Sequence, residues 1–401
     1  MYAQQVERRQ FIQTMAAGAP LLLDGRIDFS GGQDAWARVR DYFLIPRDRI
    51  YLNVGTLGAQ PRPVVHAVID ATRRVAESVP AGINWEKIKQ GTAQLLDCDA
   101  EGLAFPRNTT EAMNFIASGL DYRAGDHIVT TNHEHIGGLC CWQLVAARQQ
   151  LELTQVPLAA APTDPQQVFE QIRRALTPRT RVVSVSHVNF TTGFTMPVRE
   201  IVQLCRERGI ISVIDGAHPP GLMPVSLREI DPDFYAGSPH KWLLAPQGIG
   251  LLWMKQEWRA RLWPSVASGD WDRKELGAQR FNHLGTMDES RYAGYEAALA
   301  FYRLLDPARV YARIEELRQH LFERLERIPG IQLATPRRNS AGMVAFRLAH
   351  ISALELQKKL SAHNIRTRVI GEYDYGFMRL SPHVYNSVGE LERVIQLMGE
   401  A

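Results

Sequence analysis

Ile210-Ile211-Ser212-Val213-Ile214-Asp215-Gly216-Ala217-His218 decides how this chain folds. A short, almost wholly apolar run ends in a carboxylate and then in small residues. Such a run fits a strand covered on both faces, and a carboxylate at its buried end costs free energy unless something cationic meets it. Just upstream, Val198–Arg208 has helical periodicity and stops at Gly209, as a helix C-terminus should. The helix-then-strand unit repeats along the chain. Candidate strands are Gly102–Phe105, His127–Thr131, Arg181–His187, Ile210–Asp215 and Ile249–Met254, with helical stretches between them. This predicts an α/β fold with a mostly parallel mixed sheet between helices. Ligands in such sheets bind outside the carboxyl ends of the strands, so the residues following each strand are the ones to read for chemistry.

After about Arg291 the texture changes. Long helical patterns (Arg291–Leu304, Val310–Arg327) lead to a compact mix of strand Met343–Leu348, helix Ser352–His363 and strands near Arg366–Ile370 and Phe377–Leu380. A last helix opens with the capping box Ser387-Val388-Gly389-Glu390. The expected organisation is therefore an N-terminal arm (1–49) packing with a smaller C-terminal α+β domain (291–401), and a large domain (50–290) carrying the site.

With 401 residues and 45% hydrophobic content, the chain has enough apolar material to enclose a water-poor site. A net charge of +3 is too small to argue for nucleic acid or an acidic membrane. The four cysteines, Cys98, Cys140, Cys141 and Cys205, form no CxxC pair, and no His/Cys cluster has zinc-ligand spacing, so no metal is expected. No apolar run reaches the ~18 residues of a membrane span. Arg8-Arg9-Gln10-Phe11-Ile12, followed by a weakly apolar stretch and Ala17-Gly18-Ala19, resembles a twin-arginine export signal. An amphipathic arm is the other reading. The first implies a periplasmic or exported protein, the second a cytoplasmic one.

Outward from Asp215, the next informative segment is Ser238-Pro239-His240-Lys241-Trp242, followed by Gln247-Gly248-Ile249-Gly250. A lysine here follows one strand and precedes another. An amine nucleophile must be partly desolvated, or near other cations, to be neutral enough to attack an aldehyde. Asp215 lies 26 residues before Lys241, and pyridoxal 5′-phosphate would supply the cation that Asp215 needs: a carboxylate beside the pyridine nitrogen keeps it protonated and makes the ring an electron sink. Asn108-Thr109-Thr110-Glu111 opens a helix after strand Gly102–Phe105. It fits a capping box, and its free backbone N–H groups also suit a phosphate. Glu134-His135 follows strand His127–Thr131, placing an imidazole where it can stack on a ring. A nicotinamide enzyme would want GxGxxG between strand and helix, whereas Gly248-Ile249-Gly250 runs into Leu251-Leu252-Trp253.

Together these residues resemble the class V aminotransferase family of fold type I pyridoxal-phosphate enzymes, over roughly Tyr51 to the C-terminus. The resemblance implies Lys241 as the Schiff-base lysine, Asp215 as partner of the pyridine nitrogen, His218 at the phenolic oxygen and His135 stacked on the ring. It implies Thr109, Thr110, Ser238 and His240 at the phosphate. Thr286, in Arg280-Phe281-Asn282-His283-Leu284-Gly285-Thr286, matches a segment that reaches a neighbouring subunit's phosphate, which implies a homodimer with shared active sites. Arg379 matches the arginine that clamps the substrate carboxylate, a task suited to a guanidinium fork, with Asn53 and Asn189 beside it.

Two departures matter. Cysteine desulfurases of this family attack with a cysteine on the loop before that arginine, and residues 368–378 contain none. Where desulfurases carry Asn after a Ser-His-Val-Ser segment, this chain reads Ser186-His187-Val188-Asn189-Phe190. Tyr51-Leu52-Asn53-Val54-Gly55-Thr56-Leu57-Gly58 and Arg379-Leu380-Ser381-Pro382-His383-Val384-Tyr385-Asn386 look closest to the isopenicillin N epimerase-like branch. The expected enzyme works at the α-carbon of a small amino-acid substrate, with epimerase-like or C–S β-lyase chemistry ranked ahead of transamination. A non-catalytic pyridoxal-phosphate-fold binding protein is the alternative, since fold does not fix activity. Tyr373, Tyr375 and His383 are candidates for the second acid that epimerisation needs. Trp242, Trp263 and Trp271 either line the substrate pocket or serve packing.

Overall fold

The computed structural model describes residues 29, 33–282 and 284–399. The Arg8-Arg9 segment lies outside them. Seven strands form the main sheet: β2 (Leu103–Ala104), β3 (His127–Thr131), β4 (Glu152–Val156), β5 (Thr180–Ser186), β6 (Ile211–Gly216), β7 (Phe234–Gly237) and β8 (Leu251–Met254). Their order is β2-β8-β7-β6-β5-β3-β4. From β7 across to β4 every pairing is parallel, while β8 runs antiparallel to both β7 and β2. The reversal has a local cause. Parallel neighbours need a crossover of a dozen or more residues, usually a helix, and residues 238–250 between β7 and β8 contain none.

Alternation along the strands fills both faces. Ile128, Val182, Ile211, Val213, Phe234, Ala236, Leu252 and Met254 belong to one apolar cluster. Val129, Val183, Val185, Ile214, Tyr235, Leu251 and Trp253 belong to the other. Helices α4 (Thr109–Gly119) and α5 (Ile136–Gln149) supply the first face, and α7 (Val198–Glu207) the second. Two strands of this sheet escape sequence reading. β4 is an edge strand of mixed polarity, exposed at Glu152 and Gln155, and β7 is only four residues long.

A four-stranded antiparallel sheet, β12-β13-β10-β9, is built from β9 (Ile331–Leu333), β10 (Val344–Leu348), β12 (Arg368–Ile370) and β13 (Phe377–Leu380). Its outer face packs on helix Pro307–Leu325, helix Ala353–Ala362 and helix Val388–Gly399 through Leu317, Leu321, Leu356, Leu360, Leu391 and Val394. The capping boxes at Ser352 and Ser387 both close reciprocally. β1 (Ile50–Tyr51) pairs with β11 (Ile365–Arg366) beside this sheet, while Phe43, edge-on to Phe301 and Tyr385, shares the apolar cluster of α7.

Candidate active site

The carboxyl ends of β2, β3, β5, β6 and β7 open on one edge, and almost every candidate residue follows one of them. Asp215 sits in β6, opposite Ser186 of β5 and Ala236 of β7, and is buried. Its Oδ1 accepts the Ala217 N–H at 2.9 Å. At Gly138 a Cβ would stand 2.7 Å from Asp215 Oδ2, so glycine is what lets the start of α5 approach the carboxylate. Burial pushes the Asp215 pKa up, opposed by the Lys241 charge and the Ala217 N–H.

Lys241 lies in the helix-free connection between β7 and β8. Desolvation lowers its pKa to about 8, with Asp215 opposing and Arg379 adding to the fall. Its Nζ is 3.3 Å from His218 Nε2, and Trp242 Nε1 donates to His218 Nδ1 at 3.1 Å. The indole therefore assigns the His218 proton to Nε2, the nitrogen facing the lysine. Burial, then the Lys241 charge, drives the His218 pKa well down and keeps that ring neutral.

Asn108 caps α4 by accepting Glu111 N–H at 2.8 Å. The Glu111 carboxylate returns to Arg107 N–H at 2.6 Å instead of Asn108, so the capping box is offset by one residue. Thr109 Oγ1 and Ser238 Oγ are 2.5 Å apart, tying the helix N-terminus to the lysine loop. His240 Nδ1 is buried without a partner, and burial lowers the His240 pKa to about 4. Two hydroxyls, a helix N-terminus and an unsatisfied ring nitrogen suit an oxyanion such as a phosphate. Thr110 is exposed at the same helix start.

His135 caps α5, its Nδ1 accepting Gly137 N–H at 3.1 Å, and its ring stands edge-on to Phe190 at 5.2 Å. The side chain is exposed, yet desolvation by surrounding protein and the Lys241 charge lower its pKa to about 4. Neighbouring Glu134 is buried and accepts from Thr131 Oγ1 at 2.6 Å and Ser186 Oγ at 2.5 Å. Burial, with a smaller push from Asp215, raises its pKa to about 7. His133 is held by Thr191 Oγ1 at 2.7 Å and Ala159 O at 2.8 Å. Sequence reading singled out neither Glu134 nor His133. The Glu-His doublet is visible, but nothing in it reveals that the carboxylate is enclosed.

Arg379, in β13, is 2% exposed. It donates to Phe190 O at 2.7 Å, Thr56 Oγ1 at 3.1 Å and Asn53 Oδ1 at 3.5 Å, while its Nε has no partner. Among the described residues no carboxylate lies within ion-pair distance of it. Burial and the Arg368 charge lower its pKa to about 9. Both polar atoms of the Asn189 side chain are buried and unpartnered. A buried cation and an empty-handed amide are costly unless a ligand satisfies them.

Some candidates stand elsewhere. His383 lies behind the lysine loop, its Nε2 bonded to Trp242 O at 2.9 Å, so it is no second acid at the site. Trp242 is core and supports His218, whereas Trp263 and Trp271 pair with each other at 6.5 Å and are largely exposed. The three do not form one pocket wall. Thr286 is exposed and is not drawn into the site of its own chain. All four cysteines are free thiols.

A lysine of lowered pKa and an enclosed carboxylate meet at the carboxyl edge of this sheet, with an oxyanion cradle beside them. Fold and site together define a pyridoxal-phosphate enzyme of fold type I. The residues fit the cofactor: burial disfavours the charged form of Asp215, His240 Nδ1 has no hydrogen-bond partner, and burial lowers the Lys241 pKa to about 8. The family model Aminotransferase class-V matches residues 71–394, and the chain belongs to that family. It is 32% identical to isopenicillin N epimerase of Streptomyces clavuligerus over 90% of this chain and 96% of that protein. A probable cysteine desulfurase of Vibrio cholerae is 26% identical, over 88% and 93%. The cystine C–S lyase C-DES, solved with its product cysteine persulfide, superposes with a TM-score of 0.79 at 23% identity, over 88% of this chain and 98% of that one.

Proposed function

We propose that this enzyme breaks the α-C–H bond of an amino acid, with epimerisation as the first reading. The observation that carries it is the pairing of Lys241, whose pKa burial lowers to about 8, with Arg379, a buried guanidinium that lacks an anion among the described residues. When bound, pyridoxal phosphate supplies an electron sink for the pair released at the α-carbon. Lys241 Nζ would hold the cofactor, and as a free amine of lowered pKa it would serve as the base for the α-proton. Arg379 grips the α-carboxylate by its fork, supported by Asn53 and Asn189. Asp215 would keep a proton on the cofactor's pyridine nitrogen. His218 Nε2–H would suit the cofactor's phenolic oxygen, and His135 would cover its ring. Thr109, Thr110, Ser238 and His240 would hold the phosphate, and exposed Thr286 would reach the phosphate site of a second copy in a homodimer.

β-Elimination is the second reading, favoured by a specific observation. It needs one base, and the two tyrosine hydroxyls offered as second acid already donate: Tyr373 to Glu134 O at 2.6 Å and Tyr375 to Asn132 O at 3.3 Å. Desulfurase chemistry through a loop cysteine is not proposed, because residues 368–378 contain none. Incubation in deuterated water separates the outcomes. Deuterium gained with inversion supports epimerisation, keto-acid release without inversion supports elimination, and accumulation of the pyridoxamine form supports transamination. No deuterium uptake from any amino acid would refute α-C–H cleavage.

No helix among the described residues is long and apolar enough to cross a membrane. Export through Arg8-Arg9 is a separate proposal, tested by replacing both with lysine and following the protein to the periplasm.

A further inference from the structure

Arg368 and Arg379 are direct partners across β12 and β13. Opposed residues of an antiparallel pair place their side chains on one face with Cα atoms about 5 Å apart, where like charges repel. That face is the one turned to the lysine-bearing part of the molecule. Ile370 and Phe377, two residues further along the same strands, enter an apolar cluster with Phe190, and Arg379 bonds the Phe190 carbonyl. Arg368 is half-buried at its rim, and its charge is felt by both Arg379 and His135.

Among the described residues the one ion pair of Arg368 is with Glu372, through Nη2 and Oε1 at 2.5 Å. Glu372 Oε2 is buried without a partner. The contact is therefore single-pronged on a residue built for two. Glu372 belongs to the short loop 371–376, in which Tyr373 and Asp374 both adopt left-handed φ of 57°. Two adjacent non-glycine residues in that region are held there at a conformational cost. A partly exposed, one-pronged ion pair is weak, and a planar fork prefers a bidentate oxyanion.

Two guanidiniums thus share a face with one internal carboxylate, and Arg379 is committed to the α-carboxylate. We infer that Arg368 is a specificity-determining residue that selects amino acids whose side chain ends in a second carboxylate. This rests on the reading of Arg379 as the α-carboxylate clamp. The side-chain acid exchanges with Glu372 for the Arg368 fork, and the neighbouring Phe190, Ile370 and Phe377 accept the intervening methylenes.

The test uses holoenzyme and the change in the cofactor's visible absorption as a binding signal. L-Glutamate and L-aspartate are titrated against L-glutamine and L-asparagine, which match them in size without the charge. Wild type is expected to favour each acid over its amide by at least about tenfold, the discrimination of one charge-assisted hydrogen-bonded pair. R368Q is expected to bring that ratio near one, and R368K to restore part of it. An absent acid preference in wild type, or a ratio preserved in R368Q, overturns the inference alone. Absence of a spectral response to all four amino acids overturns the cofactor-site reading and this inference with it.

Discussion

The lowered pKa of Lys241 can be tested by pH alone. Desolvation lowers its pKa to about 8 from an ordinary 10.5. At pH 7 such a lysine is roughly 10% neutral, against about 0.03% for an unperturbed one, a ratio near 300 that corresponds to about 3 kcal/mol in favour of the free amine. Only the neutral amine attacks an aldehyde. The rate at which apoenzyme takes up pyridoxal phosphate covalently, trapped by borohydride at intervals, should therefore rise about tenfold per pH unit up to pH 8 and level off above it. The Asp215 charge holds the Lys241 pKa up, so D215N should move the break to lower pH. Stability follows the same sign. Between pH 8 and 10.5 the unfolded chain carries a proton at Lys241 that the folded chain lacks, so apoenzyme stability should gain from this group as pH rises through that window. A rate that climbs without a break to pH 10 would refute the desolvation argument.

R379Q should weaken binding of an amino acid relative to its α-carboxamide by about 30-fold to several thousand-fold, as expected for removing one partner of a buried charged pair at about 2–5 kcal/mol. Spectral titration reads that ratio, and one within threefold of wild type, about 0.7 kcal/mol, would be too small for a clamp. G138A should imitate D215N in slowing α-proton exchange, because its Cβ meets Asp215 Oδ2 at 2.7 Å without removing the carboxylate. Exchange at the wild-type rate in G138A would mean that Asp215 need not stay in place. W242F leaves the His218 Nδ1 without its donor, which should lower stability by about 1 kcal/mol and let the His218 proton move from Nε2, as a nitrogen-detected NMR spectrum would show by tautomer.

Much of this architecture is readable from residues alone. Ile210–Asp215 announces its strand because both its faces are apolar, and Ser352 and Ser387 announce helices because capping chemistry is local. Strand β4 hides because an edge strand keeps half its residues in water and loses the apolar signal. The direction of β8 is hidden too, since it depends on the absence of a crossover helix in residues 238–250.

The site divides in the same way. Lys241, Asp215 and the Thr109 helix start stand out because each is a charged or anion-binding group at a strand end, whereas Arg379, within β13, stands out only through the family resemblance. Glu134, His133, Thr56 and the indole of Trp242 act through residues distant in sequence, and only folding brings Trp242 Nε1 to His218 or Thr56 to Arg379. His383 and the exposed pair Trp263–Trp271 show the converse: suitable chemistry on the wrong side of the lysine loop or at the surface. Arg368 is one of many arginines until the register sets it opposite Arg379.

The most direct measurement is to reduce the holoenzyme with borohydride, digest it, and locate the pyridoxyl group by mass spectrometry. A single adduct on the peptide containing Ser238-Pro239-His240-Lys241 is predicted, with none in K241A. An adduct on another lysine, or one that survives in K241A, would contradict the assignment on which the mechanism stands.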